Sequence, residues 1–531
     1  MGTGLGTCPD CKPADDATRG VPPVEVVAEA KSWQSDPVSG VADGNDGQRV
    51  GERGHEHVEL KRRAGDLGRF PSAGASEASG HLALDHDLLR GISLKSSLHD
   101  FGRLWRKSPL ELPDDTARAA LWKRSAKVER LDIFLSHTWH TPGSQKVRAL
   151  LVQSGCYCFV LAWFLCAALC IVLEVFAGRG LYQRDLSARL GGFFGSILGL
   201  LASPYLPQLC GSKMCFLDVV CIHQADPDLM KRGIYGLGGF LTASSELRIL
   251  WSPPYLSRLW CVFELAAFRK ANPSGRIVLK PLYLEVGLLY VILVNYMGVL
   301  IEEGRVRFAG DRAWDDWWIL ARAGATLPYV LLIHGLRRLC HEKHLLMEDL
   351  RCFELAKVSC RLPSDRDFIY TGIREWYGSE EAFERYVQGP LCDELIRPFR
   401  RSDLPAVYWL MAMTPIFANQ VDLWLSILRN TSAVSPSLDL YRRLLALVVA
   451  DAVTLMNLMV LTFLLCYCFA RPAAGMCDCG KTLLVWFVLL LGFSASVVQT
   501  NIMSTWEVTV GISAAQVVAG VFLRWVVQRC G

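Results

Sequence analysis

Two kinds of apolar run alternate along this chain. The long ones carry few or no charges and approach the about 20 residues that a bilayer-spanning helix needs. They cover 155–173, 190–207, 286–301 (reaching back to Leu282), 317–336, 404–424, 444–468, 482–498 and 508–525. Their number predicts a bundle of about eight transmembrane helices. Arg322 lies inside the fourth run, and a snorkelling side chain accommodates it. The short runs read differently. "DIFLS" (132–136), "CFLDVV" (215–220), "LRILWS" (247–252) and "RIVLKPL" (276–282) have the length and β-branched content of strands. Helical segments separate them: "SQKVRALL", "DPDLMKRGIYGLGGFLTASS" and "SRLWCVFELAAFRK". Strand–helix alternation predicts a parallel sheet covered by helices. A last strand and two helices are expected within 352–396, with Ser379 ahead of Glu380 and Glu381 as a helix start.

The organisation follows from these runs. Residues 1–80 are rich in Gly, Ala, Asp, Glu and Ser and poor in aromatics, a composition expected to stay disordered. Residues 81–129 read as a linker with short helices. The α/β domain is assembled from 130–151, 208–284 and 337–398. Membrane hairpins at 152–207 and 285–336 interrupt it, and 404–527 supplies the C-terminal membrane helices.

Charge sets the orientation. "RRLCHEKH" (337–344) and "IRPFRRSD" (396–403) are basic, as cytosolic flanks are. The sequon Asn430-Thr431-Ser432 is a candidate glycosylation site on the other side. Together they predict an integral, multi-pass protein with both termini cytosolic. The net charge of +4 over 531 residues gives no footprint for nucleic acid. The 19 cysteines show neither a disulfide framework nor zinc-ligand spacing, so no metal is expected.

One acid stands out. In "SPPYLSRLWCVFELAAF" (252–268), Glu264 is the lone carboxylate, with Trp260 and Phe268 one helical turn to either side. Two readings are open. It is an ordinary Glu on the wet face of an amphipathic helix, or a half-buried acid whose pKa burial raises. Glu174, Asp422 and Asp451 raise a different possibility, because acids within membrane segments often line a permeation path.

"DIFLSH" (132–137), "FLD" (216–218) and "LRILWSPPYLSRLWCVFEL" (247–265) resemble, in order, the strands and third helix of a TIR domain. "DVVCIHQ" (218–224) is similar to the Asp-x-x-Cys-Ile-x-Gln motif of heterokaryon-incompatibility domains. The matched motifs cover about 50 residues and the domain they imply about 200 of the 531, and the combination resembles uncharacterised multi-span proteins of protists. It implies a flavodoxin-like α/β fold with a five-stranded parallel sheet, here interrupted by the two hairpins. It further implies signalling through domain self-association or partner recruitment. Many TIR domains cleave NAD, and their catalytic Glu matches Glu264. Under that implication NAD is a substrate, no cofactor is assigned, and Asp132, Ser136, His137, Trp139 and Trp260 border the nucleotide crevice. A channel or transporter with a regulatory soluble domain is the third function compatible with the sequence.

Overall fold

The computed structural model describes residues 81–82, 84–108, 111–112, 114–176, 187–207, 213–309, 324, 326–400, 405–430, 438–473, 476–502 and 506–530. The N-terminal segment 1–80, expected to be disordered, lies outside the described residues. Leu84–Gly531 folds as one unit, which holds the sheet and the helices.

Six strands form one mixed sheet: β1 (Arg90–Ser93), β2 (Ala126–Lys127), β3 (Leu131–Ser136), β4 (Met214–Phe216), β5 (Ser244–Trp251) and β6 (Arg276–Pro281). Their spatial order is β2-β1-β4-β3-β5-β6. The four strands β4-β3-β5-β6 are parallel, with Ile133 opposite Cys215 and Ser136 opposite Ile249. At the β4 edge the sheet turns antiparallel through β1 and β2. Two expectations need correction. Residues 81–129 do more than link: they add two edge strands. No strand forms within 352–362, where a 3-10 turn, Leu355–Lys357, and one bridge between Ser359 and Arg258 stand instead.

The sheet is buried on both faces, as parallel sheets are. Leu131, Ile133, Phe134 and Leu135 of β3 and Leu247, Ile249, Leu250 and Trp251 of β5 are all buried. Helices α1 (Gly143–Phe176) and α2 (Ser187–Ala202) join β3 to β4. Helices α3 (Pro227–Tyr235) and α4 (Leu237–Thr242) lead to β5. The expected single helix there is split at Gly236. Asp226 starts α3 by accepting from the amides of Asp228 and Leu229, with Pro227 in the first turn. Helix α5 (Leu259–Ala271) then returns the chain to β6.

Helix α1 serves both parts of the molecule. Val147, Ala149 and Leu150 near its start are buried against the α/β domain. Farther along, Tyr157, Leu161, Leu165 and Leu169 are exposed. An uncharged helix presenting large apolar side chains outward is suited to hydrocarbon, not water. Its 34 residues reach about 50 Å. Helix α6 (Leu282–Ala309) leaves directly from the end of β6. Then follow α7 (Pro328–Arg351), α8 (Pro363–Tyr377), α9 (Ala406–Asn430), α10 (Leu438–Cys468), α11 (Met476–Ile502) and α12 (Trp506–Cys530).

Among the described residues, three stretches are long and apolar enough to cross a bilayer: Gly143–Leu173, Leu282–Ile301 and Met476–Ser494. Ala188–Ala202, Val453–Cys468 and Val510–Phe522 are apolar but shorter. The expected run 317–336 lies partly outside the described residues. One apolar core links these helices, drawing Phe159 and Trp163 from α1, Val291 from α6, Ile333 from α7, Met411 from α9 and Val485 from α11.

Small residues let α1 and α2 meet closely. Gly191, Gly195 and Gly199 recur every fourth position on α2, facing Cys158, Ala162, Cys166 and Cys170 at the same spacing on α1. This is the packing by which membrane helices approach backbone to backbone. A carboxylate fixes the hairpin to α9. Asp422 accepts from the amides of Ala188 and Arg189 at 2.9 and 3.1 Å, and its Oδ2 lies 3.3 Å from Arg189 Nε. Asp422, considered for a permeation path, therefore holds the first turn of α2. The helical backbone at Glu174 and Asp451 is described, but their side chains lie outside the described residues.

Candidate functional site

The strand order fixes where a ligand crevice falls. From β3 the chain moves to β4 on one side, and from β5 to β6 on the other. Open α/β sheets bind ligands outside the carboxyl ends of strands at such a switch point. Ser136 ends β3, Trp251 ends β5, and α5 begins eight residues beyond Trp251, at Leu259.

Helix α5 is apolar nearly all round and correspondingly buried. Between Leu259 and Phe268 only Trp260 and Glu264 keep partial exposure. They lie one turn apart and form a narrow open strip on an otherwise covered helix. The segment after α7 buttresses the start of α5: Leu259 N–H donates to Ser359 O at 3.1 Å, and Ser359 N–H to Ser257 O at 2.9 Å.

At the centre, Ser136 Oγ donates to Oε2 of Glu264. Ser136 Oγ also lies 2.5 Å from the buried Tyr255 hydroxyl. Ser136 has one proton to give, so with Glu264 ionised the chain of donors runs Tyr255 to Ser136 to Glu264. Burial pushes Glu264 up to about 8, against the opposing effect of the Ser136 hydrogen bond, and the charge of Asp218 raises it further. At neutral pH most of this carboxyl is therefore protonated.

A second group stands beside it. Trp139 Nε1–H donates to Asp218 Oδ2 at 2.7 Å, and His137 Nε2 lies 3.9 Å from Asp218 Oδ1. The buried Lys146 ammonium sits over the Trp139 ring, 4.6 Å from its centroid. Its Nζ has no hydrogen-bond partner among the described residues. Burial, with Lys146 nearby, pulls His137 down to about 4, so its imidazole is neutral. Cys261 donates its thiol to His137 O at 3.6 Å, and burial pushes that thiol well above the usual range. Thr141 and Ser252 hydroxyls, 2.5 Å apart, tie the loop after β3 to the end of β5.

Of the residues expected at the crevice, the structure joins Ser136 to Glu264 and sets His137 and Trp139 around Asp218. Asp132 is elsewhere. It lies at the opposite end of β3 and accepts from Met214 N–H at 2.7 Å, where it fixes the start of β4. Trp260 donates to Asp365 Oδ2 at 3.1 Å and packs against Phe263 and Phe368, so its ring belongs to the α5–α8 contact. The side chain of Asn430 and residues 431–432 lie outside the described residues. Asp218, Tyr255 and Lys146 were not singled out from sequence. Asp218 stood in the quoted "FLD" and Tyr255 in "SPPYLS"; Lys146 had no signal beyond its place in an early helical turn.

Among the described residues, no group of three or more His, Cys, Asp or Glu side chains is arranged to hold a metal. No protein-family model, curated protein or solved structure matches this chain.

Proposed function

We propose that this chain is a membrane-anchored protein whose TIR-like, flavodoxin-like α/β domain cleaves the nicotinamide–ribose bond of NAD. One observation carries the reading: Glu264, partly exposed on a buried helix, is bonded to Ser136 at the switch point of the sheet. A carboxyl with a pKa moved by burial, in that position, has the properties of a catalytic group. In its ionised form it stabilises positive charge at the anomeric carbon as the carbon–nitrogen bond breaks, as carboxylates do in glycoside hydrolysis. Nicotinamide leaves with the bonding electron pair. Water adds to the ribosyl carbon and releases one proton. Tyr255 and Ser136 hold the carboxyl in place, and Asp218 and Trp139 border the same crevice.

The anchoring reading has about eight membrane segments with both termini cytosolic, and the bilayer as a constant partner. The three stretches of sufficient length and apolarity support it. Incubation of the full chain in lipid nanodiscs with NAD, followed by chromatography for nicotinamide, tests the proposal. Glu264→Gln is the paired control.

Signalling by domain self-association or partner recruitment is the second reading. It is favoured by Trp139 and Trp260, the two tryptophans expected to border the nucleotide crevice. Both indole N–H groups are committed to carboxylates of the same chain, Asp218 and Asp365. On that reading function survives Glu264→Gln. A permeation function draws less support, because Asp422 is engaged by Arg189 and two amides.

A further inference from the structure

An apolar cleft of about 170 Å³ opens where the α/β domain meets the first hairpin. Leu98, Phe101, Leu151 and Leu201 supply its apolar walls, and Arg106 and Arg148 its only charges among the described residues. Both arginines are exposed, and among the described residues no carboxylate lines the cleft. Asp100, next in sequence to Phe101, lies 3.5 Å from Arg124.

Its position along α1 is informative. Arg148 is the last charged residue before an uncharged stretch that runs to Leu173. In a bilayer that places Arg148 at headgroup level and Leu151 at the start of the hydrocarbon. The opposite wall comes from the end of α2, where Leu201 and Tyr205 are exposed.

The third wall is a backbone feature. Asp100, Phe101 and Gly102 occupy the left-handed region in succession, with φ of 54°, 54° and 69°. Residues with a side chain seldom adopt it, and such backbone tends to cluster at ligand clamps. This turn is held to the hairpin end. Asp100 N–H donates to Tyr205 OH at 3.0 Å, His99 stacks on Tyr205, and Lys95 Nζ donates to Leu206 O at 3.0 Å. The turn leaves Phe101 two-thirds exposed (66%) beside the membrane-facing end of α2.

We infer that this cleft binds an anionic phospholipid from the leaflet facing the α/β domain. The phosphate pairs with Arg106 and Arg148, and an acyl chain lies along Leu98, Phe101, Leu151 and Leu201. Two cations without an anion, above an apolar floor at headgroup depth, match a charged lipid and not a soluble protein segment. Basic pockets beside membrane helices recognise lipid headgroups in this way. The inference rests on the membrane reading and is independent of any activity at Glu264.

Native mass spectrometry of the detergent-purified full chain tests it, with dioleoyl phosphatidylserine and dioleoyl phosphatidylcholine as probes. The expected result is at least about tenfold preference for phosphatidylserine, from the net negative headgroup beside two arginines, a charge that the choline ammonium cancels in phosphatidylcholine. Arg106→Gln with Arg148→Gln removes the preference, Arg106→Lys with Arg148→Lys retains most of it, and Lys231→Gln with Lys270→Gln, at exposed sites outside the cleft, leaves it unchanged. Phe101→Ser weakens both lipids. Equal binding of the two lipids, or a preference untouched in the double Gln variant, overturns the inference. Displacement of the lipid by equimolar glycerophosphoserine also overturns it, because the cleft then reads free phosphate.

Discussion

Ser136 at the end of β3 donates its hydroxyl proton to Glu264 on α5. The bond joins the central strand of the parallel sheet to a helix otherwise almost wholly buried. It also opposes the effect of burial on the carboxyl, so the two residues together set how much of Glu264 is ionised.

The folded protein holds the Glu264 proton up to about pH 8, while the unfolded chain releases it near the ordinary value of 4.5. Between those pH values the native state binds more protons, so this group's contribution to stability falls as pH rises. The slope approaches about 1.4 kcal/mol per pH unit at most. Thermal unfolding from pH 5 to 8 is expected to show a loss that Glu264→Gln flattens. A Gln variant with the wild-type slope would assign the pH dependence to other groups.

Ser136→Ala removes the hydrogen bond that favours the ionised carboxyl. Nicotinamide release by the wild type is expected to rise with pH through an inflection near 8. The Ala variant should shift that inflection to higher pH and lower the rate at pH 7.5. A pH–rate profile reads both effects. An inflection moved downward would mean that Ser136 does not support the ionised form.

Asp422→Asn leaves Arg189 largely buried beside a neutral partner. Breaking one side of a buried ion pair costs about 3–5 kcal/mol. The lower end is expected, since Arg189 also donates to Asn419 Oδ1 at 2.8 Å. Denaturation in detergent should show the loss, and Arg189→Gln combined with Asp422→Asn should recover part of it. Additive effects in the double variant would remove the coupling.

A side chain at Gly195 meets Cys166 on α1. Gly195→Val is expected to force α1 and α2 apart at about 1–3 kcal/mol. Gly195→Ala should cost less, and Cys166→Ala should ease it by removing the sulfur in the way. Melting temperatures of the three single variants and of Gly195→Val combined with Cys166→Ala decide this, and no recovery in the double variant would place the clash elsewhere.

Much of the parallel sheet was legible because its strands are short, apolar and bounded by turn residues, as in "DIFLS" before His137. Ser136 and Glu264 were legible too: Ser136 closes a strand motif, and Glu264 is the lone acid of a largely apolar helix. The edge strands were not. β1 spans four residues and β2 two, and the pairing of β1 with β4 and of β2 with β1 is non-local and invisible to periodicity. The last strand expected within 352–396 does not form: the segment ahead of α8 makes one bridge, Ser359 to Arg258, and instead braces α5. Tyr255 escaped notice because the turns at 252–258 bring it back to Ser136. Asp132 misled for the opposite reason: adjacency in sequence to Ser136 conceals that the two lie at opposite ends of one strand.

The central claim is that Glu264 performs glycosidic cleavage. Nicotinamide released from NAD by the full chain in nanodiscs at pH 8.5, wild type beside Glu264→Gln, measures it most directly. Release by the wild type, with loss of at least about a hundredfold in the Gln variant, is the predicted result. Equal release by both, or none from either while both remain folded, would contradict it.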